Sequence, residues 1–180
     1  MAEIMAVQKP VAGNPMRVIR IGKVTVNMGV GQTGEELKKA ETIMQRLTNM
    51  KPLETVAKTK NPTWGLRPGL TIGCKVTLRD EPAIEFLKRA LQARENKLSR
   101  KNFDLQGNFG FGIKEYIDMP GTKYDPKFGI RGFDVLVTLE RPGYRIKKKK
   151  LGTKRIAKRH LIAREEAIEF IVGKFGVEIQ

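Results

Sequence analysis

Lys23-Val24-Thr25-Val26-Asn27-Met28-Gly29-Val30 alternates polar with apolar residues, and Thr71-Ile72-Gly73-Cys74-Lys75-Val76-Thr77-Leu78-Arg79 does the same. Successive side chains of a β-strand leave on opposite faces, so each run predicts a strand with one buried and one open face. Val24, Val26, Met28 and Val30 point inward from the first, and Ile72, Cys74, Val76 and Leu78 from the second. Lys23, Thr25 and Asn27 point outward, as do Thr71, Lys75, Thr77 and Arg79. Neither outward row holds a carboxylate. Side chains of these types donate hydrogen bonds to phosphate oxygens, so a surface built from them suits a polyanion. The expectation is that the two strands lie side by side and merge their outward rows into one platform.

The whole chain carries the same bias. Lys and Arg number 35 against 19 Asp and Glu, a net charge of +16 over 180 residues. Such an excess favours nucleic acid or an anionic membrane as partner. No apolar run approaches the ~20 residues of a spanning helix, which argues against a membrane. Met1 to Pro10 carries an early acid and a very short apolar stretch, unlike a secretory signal. The length predicts a single domain over residues 1–180. Cys74 is the only cysteine, so no internal disulfide forms. It falls on an apolar strand face, as a small core residue in a reducing compartment does.

Enzyme chemistry is poorly supplied. A hydrolytic triad would have to use the only histidine, His160, and the only serine, Ser99, both in basic stretches. A zinc site needs about four Cys or His ligands, or three with water, and the chain has two such residues. No cofactor or metal is expected. Glu35-Glu36 and Glu165-Glu166 stand near helix starts, where negative charge complements the dipole. Gly29-Val30-Gly31-Gln32-Thr33-Gly34 matches the spacing of a dinucleotide-binding turn, with Glu54 downstream. Strands of such folds are apolar on both faces, whereas this one alternates. The glycines fit better as a tight exit turn, one that can also bring backbone amides to phosphate. Asn108-Phe109-Gly110-Phe111-Gly112-Ile113-Lys114 partly matches the aromatic strand of an RNA-recognition motif. Its phenylalanines read either as base-stacking platforms or as core residues on one strand face, and the second reading is preferred.

Around these runs, apolar spacing predicts a helix from Glu35 to about Thr48 and a strand over Leu53–Thr59. Lys60 to Gly69 is a Pro- and Gly-rich loop without regular structure that holds Trp64, free to stack on a base or to fold back on the protein. Asp80 caps a helix whose buried stripe is Ile84, Leu87, Leu91 and Leu98. Strands over Phe111–Asp118 and Phe133–Leu139 follow, then a helix from about Leu161 to Phe175 with Ile168, Ile171, Val172 and Phe175 inward. Between the last strand and helix, residues 145–160 hold nine Lys or Arg and no acid. Self-repulsion keeps such a run loose until a polyanion neutralises it. Arg145, Lys147, Lys148, Lys149, Lys150, Lys154 and Arg155 are its expected phosphate contacts.

Several segments in order carry a family resemblance. They are Val26-Asn27-Met28-Gly29-Val30-Gly31, Lys51-Pro52-Leu53-Glu54-Thr55-Val56-Ala57-Lys58, and Gly65-Leu66-Arg67-Pro68-Gly69 with Ile72-Gly73-Cys74-Lys75-Val76-Thr77-Leu78-Arg79. Gly107-Asn108 with Gly112-Ile113, then Gly129-Ile130-Arg131-Gly132-Phe133-Asp134-Val135, then Arg141-Pro142-Gly143-Tyr144-Arg145 complete the set. Together they resemble the universal large-subunit ribosomal protein five family, the 5S rRNA-binding proteins, in its archaeal type, over about residues 16–178.

The resemblance implies an α+β fold with an antiparallel sheet, helices packed on one face and the other face open for RNA. It implies that this open face binds 5S rRNA, so Lys23, Thr25, Asn27, Thr71, Lys75, Thr77 and Arg79 become candidate contacts. It further implies a structural role anchoring 5S rRNA to 23S rRNA in the central protuberance of the cytoplasmic ribosome. Lys58, Lys60, Asn61, Trp64 and Arg67 would reach P-site tRNA, and other edges would meet the other 5S-binding large-subunit protein and a small-subunit bridge protein. Met50 stands where the family usually has Gln, and Trp64 replaces the usual Phe. Two alternatives belong to other classes: a free RNA-binding regulator or chaperone using the same face, and a nucleotide-dependent enzyme using the Gly-rich turn. Co-sedimentation with large subunits at high salt tests the first, and calorimetry with NAD or ATP the second.

Overall fold

The computed structural model describes residues 14–180. The reading of Met1 to Pro10 lies outside those residues. Five strands form one antiparallel sheet: β1 (Arg20–Gly29), β2 (Leu53–Val56), β3 (Thr71–Leu78), β5 (Phe109–Ile113) and β6 (Phe133–Glu140), in the order β2-β3-β1-β6-β5. A two-residue parallel pair joins β4 (Lys97–Leu98) to β7 (Glu178–Ile179). Three helices complete the fold: α1 (Glu35–Thr48), α2 (Asp80–Ala93) and α3 (Arg164–Phe175).

Period-two burial builds the sheet. Val24 sits between Leu78 and Val137, and Val26 between Val76 and Val135, so the inward rows of three strands coincide. Phe109, Phe111 and Ile113 extend these rows onto β5. All pack into one core with Ala40, Ile43, Met44 and Leu47 of α1, Ala83, Phe86, Leu87 and Leu91 of α2, and Ala167 and Ile171 of α3. The helices therefore share a single face of the sheet. Close packing of α1 on β3 and of α2 on β1 leaves the opposite face uncovered at its centre.

Glu35 and Glu36 open α1, and Glu165 and Glu166 open α3, where carboxylates favour the helix dipole. Several boundaries differ from the expected ones. α2 stops at Ala93 because Glu95 and Asn96 take left-handed backbone, so Leu98 is buried from β4 and not from the helix. Asp80 is the first residue of α2, with φ 54°, and does not cap it. Arg79, in extended backbone just before it, is the helix N-cap and not the last residue of β3. β2 ends at Val56, and β5 ends at Ile113 ahead of a 3-10 turn over Tyr116–Asp118. α3 begins at Arg164, and its Val172 is exposed, not inward.

Candidate nucleic-acid interface

Cross-strand register decides whether the two outward rows merge. Thr25 lies opposite Thr77 and Asn27 opposite Lys75. Directly opposed residues share a face, so these side chains form one continuous row across β1 and β3. Lys23 belongs to the same face beside Thr138 of β6, while Arg79 lies one residue beyond β3, past the last β1–β3 pair, Val24 with Leu78. Lys75, Thr77 and Arg79 are exposed, while Lys23, Thr25 and Asn27 are half-buried because β1 has a neighbour on each side. Thr71 has the same parity but sits at the far end, against the irregularity at Thr55 and Val56 of β2. The expected platform thus exists, with Thr71 at its margin.

The rest of the open face is different. Asp134 lies opposite Asn27, Leu136 opposite Thr25, and Leu53 opposite Lys75. Asp134 is exposed, and Leu53 and Leu136 are exposed apolar side chains. The open face therefore does contain a carboxylate, which the two outward rows alone lack. Alternation along Phe133-Asp134-Val135-Leu136-Val137-Thr138 was the available signal for it.

Residues 57–70 form an ordered extension, contrary to the expected structureless loop. Ala57 and Leu70 close its base, with the Ala57 amide donating to the Leu70 carbonyl at 2.8 Å and the Gly69 amide to the Ala57 carbonyl at 3.0 Å. Asn61 and Leu66 exchange two backbone hydrogen bonds, and a 3-10 turn spans Pro62–Trp64 between them. Asn61 Oδ1 accepts from the Thr63 amide at 3.1 Å, so that oxygen is already engaged within the turn. Lys58, Lys60 and Arg67 are exposed, and Trp64 is 73% exposed, so its indole does not fold back on the protein. Trp64→Ala is expected to change stability by less than ~0.5 kcal/mol, as at other exposed positions, while weakening whatever contact the tip makes. Denaturant titration alongside an RNA-binding assay separates the two effects.

The basic run is anchored at both ends. Arg141, nearly fully buried, donates from Nη1 to the carbonyls of His160 at 3.3 Å and Leu161 at 3.1 Å, and from Nη2 to Glu166 Oε1 at 2.9 Å. The Tyr144 hydroxyl donates to the His160 carbonyl at 3.1 Å and accepts from the Ile162 amide at 3.2 Å. His160 Nε2 lies 2.9 Å from the Pro142 carbonyl, which can only accept, so Nε2 carries the proton. The sole histidine thus has a structural task. Burial pushes the Glu166 carboxyl up, but hydrogen bonds from the Ala163 amide and Arg141 outweigh it and hold the group below its usual range.

Between these anchors Arg145, Lys147, Lys149, Lys150, Lys154 and Arg155 are exposed and have no ion-pair partner among the described residues. Lys148, also exposed, pairs with Glu140, so the protein itself already neutralises one expected phosphate contact. A hollow at the end of β6 is lined by Thr138 and Glu140 of that strand, Asn108, and Lys147, Lys148 and Ile156 of this loop, among others. The loop is a clasped continuation of the platform and not a loose strand.

The decoy motifs resolve into structure. The amides of Val30 and Gly31 both donate to the Ile72 carbonyl, at 2.9 and 2.8 Å, so they are not free for phosphate. Gly31, at φ 75°, makes the exit turn. Phe109 and Phe111 are buried, with ring centroids 6.5 Å apart and Phe103 stacked 5.0 Å from Phe109, so they are core and not base platforms. Burial pushes the Cys74 thiol to about 11, helped by the charge of Glu41, which keeps it an inert core group. No helix among the described residues is long and apolar enough to cross a membrane.

Comparison with known proteins agrees along the chain. Residues 14–67 match the family model described as ribosomal protein L5, and residues 71–170 match the model for the C-terminus of the same ribosomal family. Curated relatives carry the name large ribosomal subunit protein uL5. The one from Methanococcus vannielii is 47% identical over 178 residues, covering 97% of this chain and 98% of its own. That from Nanoarchaeum equitans is 48% identical over 167 residues, covering 92% and 98%. That from Methanococcus maripaludis is 46% identical over 178 residues, covering 97% and 98%.

Proposed function

From the premise that this chain belongs to the ribosomal protein L5 family, in its archaeal type, we propose that its open sheet face binds 5S rRNA. Family membership makes it a structural, non-enzymatic constituent of the large ribosomal subunit, working with rRNA on the cytoplasmic ribosome. The finer assignments are ours. Lys23, Thr25, Asn27, Lys75, Thr77 and Arg79 hold 5S rRNA phosphates and sugars. The clasped loop with Arg145, Lys147, Lys149, Lys150, Lys154 and Arg155 holds adjoining 23S rRNA, and so anchors one RNA to the other in the central protuberance. The 57–70 extension, with Lys58, Lys60, Arg67 and Trp64, reaches P-site tRNA. The remaining edges meet the other 5S-binding large-subunit protein and a small-subunit bridge protein. All 180 residues act as one RNA-binding domain; the sheet draws strands from both matched segments.

The single observation carrying this reading is the register of β1 on β3, which sets Thr25 against Thr77 and Asn27 against Lys75 on a face no helix covers. Lys75→Glu and Arg79→Glu should each weaken 5S rRNA binding by about 1–3 kcal/mol, the worth of one charge-assisted hydrogen bond. With ~8 phosphates engaged, the log–log salt slope of the wild-type protein is roughly −6 to −7, and each variant flattens it. If both leave affinity unchanged while Lys148→Glu abolishes it, the sheet is not the platform.

A further inference from the structure

The open face has two unlike halves. Over β1 and β3 it is cationic and hydroxylic, with Lys23, Thr25, Lys75 and Thr77. Over β6 and β5 it offers Asp134, Leu136 and the bare positions Gly110 and Gly112, which pair with Leu136 and Asp134. A Cβ built at Gly110 would lie 2.7 Å from a Leu136 methyl, so the Leu136 side chain reclines across that glycine and makes a flat apolar floor. A Cβ at Gly112 would meet only Asp134 Oδ1, at 3.4 Å, so the carboxylate lies beside a position that carries no side chain. On its other side is Asn27.

Asp134 is exposed and has neither an ion pair nor a side-chain hydrogen bond among the described residues, although the chain carries +16. A free carboxylate repels phosphate, so it opposes backbone binding at that spot. What it accepts well is a neutral N–H edge. A carboxylate's two oxygens match the adjacent imino and amino donors of guanine, and an apolar floor suits the flat face of the same base.

We infer that Asp134, with Asn27 beside it and Leu136 over Gly110 as floor, is a base-edge subsite that receives an unpaired guanine of the bound RNA. This rests on the sheet being the RNA platform. Phosphates then lie over β1 and β3, and sequence is read over β6 and β5.

The test exploits a sign reversal. Asp134→Asn removes a negative charge from a polyanion-binding surface, so plain electrostatics predicts tighter binding of every RNA. The base-edge reading predicts about tenfold or greater weakening for 5S rRNA, the discrimination worth of one bidentate contact, with random-sequence RNA of equal length bound as well or better. Inosine interference mapping of 5S rRNA, which deletes the guanine 2-amino group, should find a position that matters to the wild-type protein and not to the Asp134→Asn variant. Equal or tighter 5S rRNA binding by the variant overturns the inference. So does a defect that vanishes when magnesium is chelated, which makes the carboxylate a cation bridge, or one that tracks 2′-deoxy instead of inosine substitution. Lys75→Glu run in parallel separates the layers: if it too is silent, the platform reading itself fails. If it weakens binding while Asp134→Asn strengthens it, only the guanine subsite fails.

Discussion

Arg141→Ala should destabilise the protein by about 3 kcal/mol, at the low end for breaking a buried ion pair because Glu166 is only partly buried. The substitution removes the donors to two backbone carbonyls and one carboxylate, and strands those acceptors at the root of the basic loop. At ~2–4 °C per kcal/mol for a chain of this size, the melting midpoint falls by roughly 6–12 °C. Trypsin should then cut between Arg145 and Arg159 faster than it does in the wild type. Lysine at this position does not rescue the loss, since one ammonium cannot span the acceptors that the guanidinium fork bridges. A midpoint within about 2 °C of wild type, well under the shift expected for that loss, or unchanged cleavage, would refute the clasp.

The same clasp sets an acid limit. Glu166 is held below its ordinary 4.5 in the folded protein, so the unfolded chain takes up this proton more readily. Its contribution is complete above about pH 4.5 and is lost as the pH falls further, through the folded value. Glu166→Gln should therefore show a shallower loss of stability below pH 4.5 than the wild type.

Phe109→Ala should cost about 3–5 kcal/mol, the range for emptying a buried aromatic site. Phe109 stands between Phe103 and Phe111, on the strand pair that ties β5 to β6, so neighbouring rings cannot collapse into the void without moving a strand. Urea unfolding measures the loss. Binding of 5S rRNA, scored per folded molecule, should stay within twofold, because the ring faces the helices. A tenfold loss of affinity without loss of stability would return Phe109 to the RNA side.

Legibility in the sequence followed what local chemistry controls. The alternation in residues 23–30 and 71–79 was enough to assign both faces of β1 and β3, since burial against helices leaves one register only. The helix at Glu35–Thr48 was equally plain from Leu37, Ala40, Met44 and Leu47. Leu98 keeps the spacing of Leu87 and Leu91, which is why it reads as helical. Two consecutive left-handed residues, Glu95 and Asn96, ended that helix without a glycine or proline to announce it. Asp134 was not legible as a member of the open face beside Asn27 because that partner comes from a strand more than a hundred residues earlier in the chain. The clasp was invisible for a related reason: Arg141, His160 and Glu166 look like three more members of a charged stretch until the fold buries the first of them.

Placing β1 at the centre of the sheet has a consequence for the order of events during synthesis. Residues 20–78 alone supply β1, β2 and β3, so this half of the sheet can pair as soon as they are free of the exit tunnel. The other side of β1 then stays a naked hydrogen-bonding edge until β6 follows. A nascent chain in that interval presents an unpaired strand beside uncovered valines, the kind of surface that recruits a stray strand from a second copy. Slow closure between such distant segments lengthens the exposure.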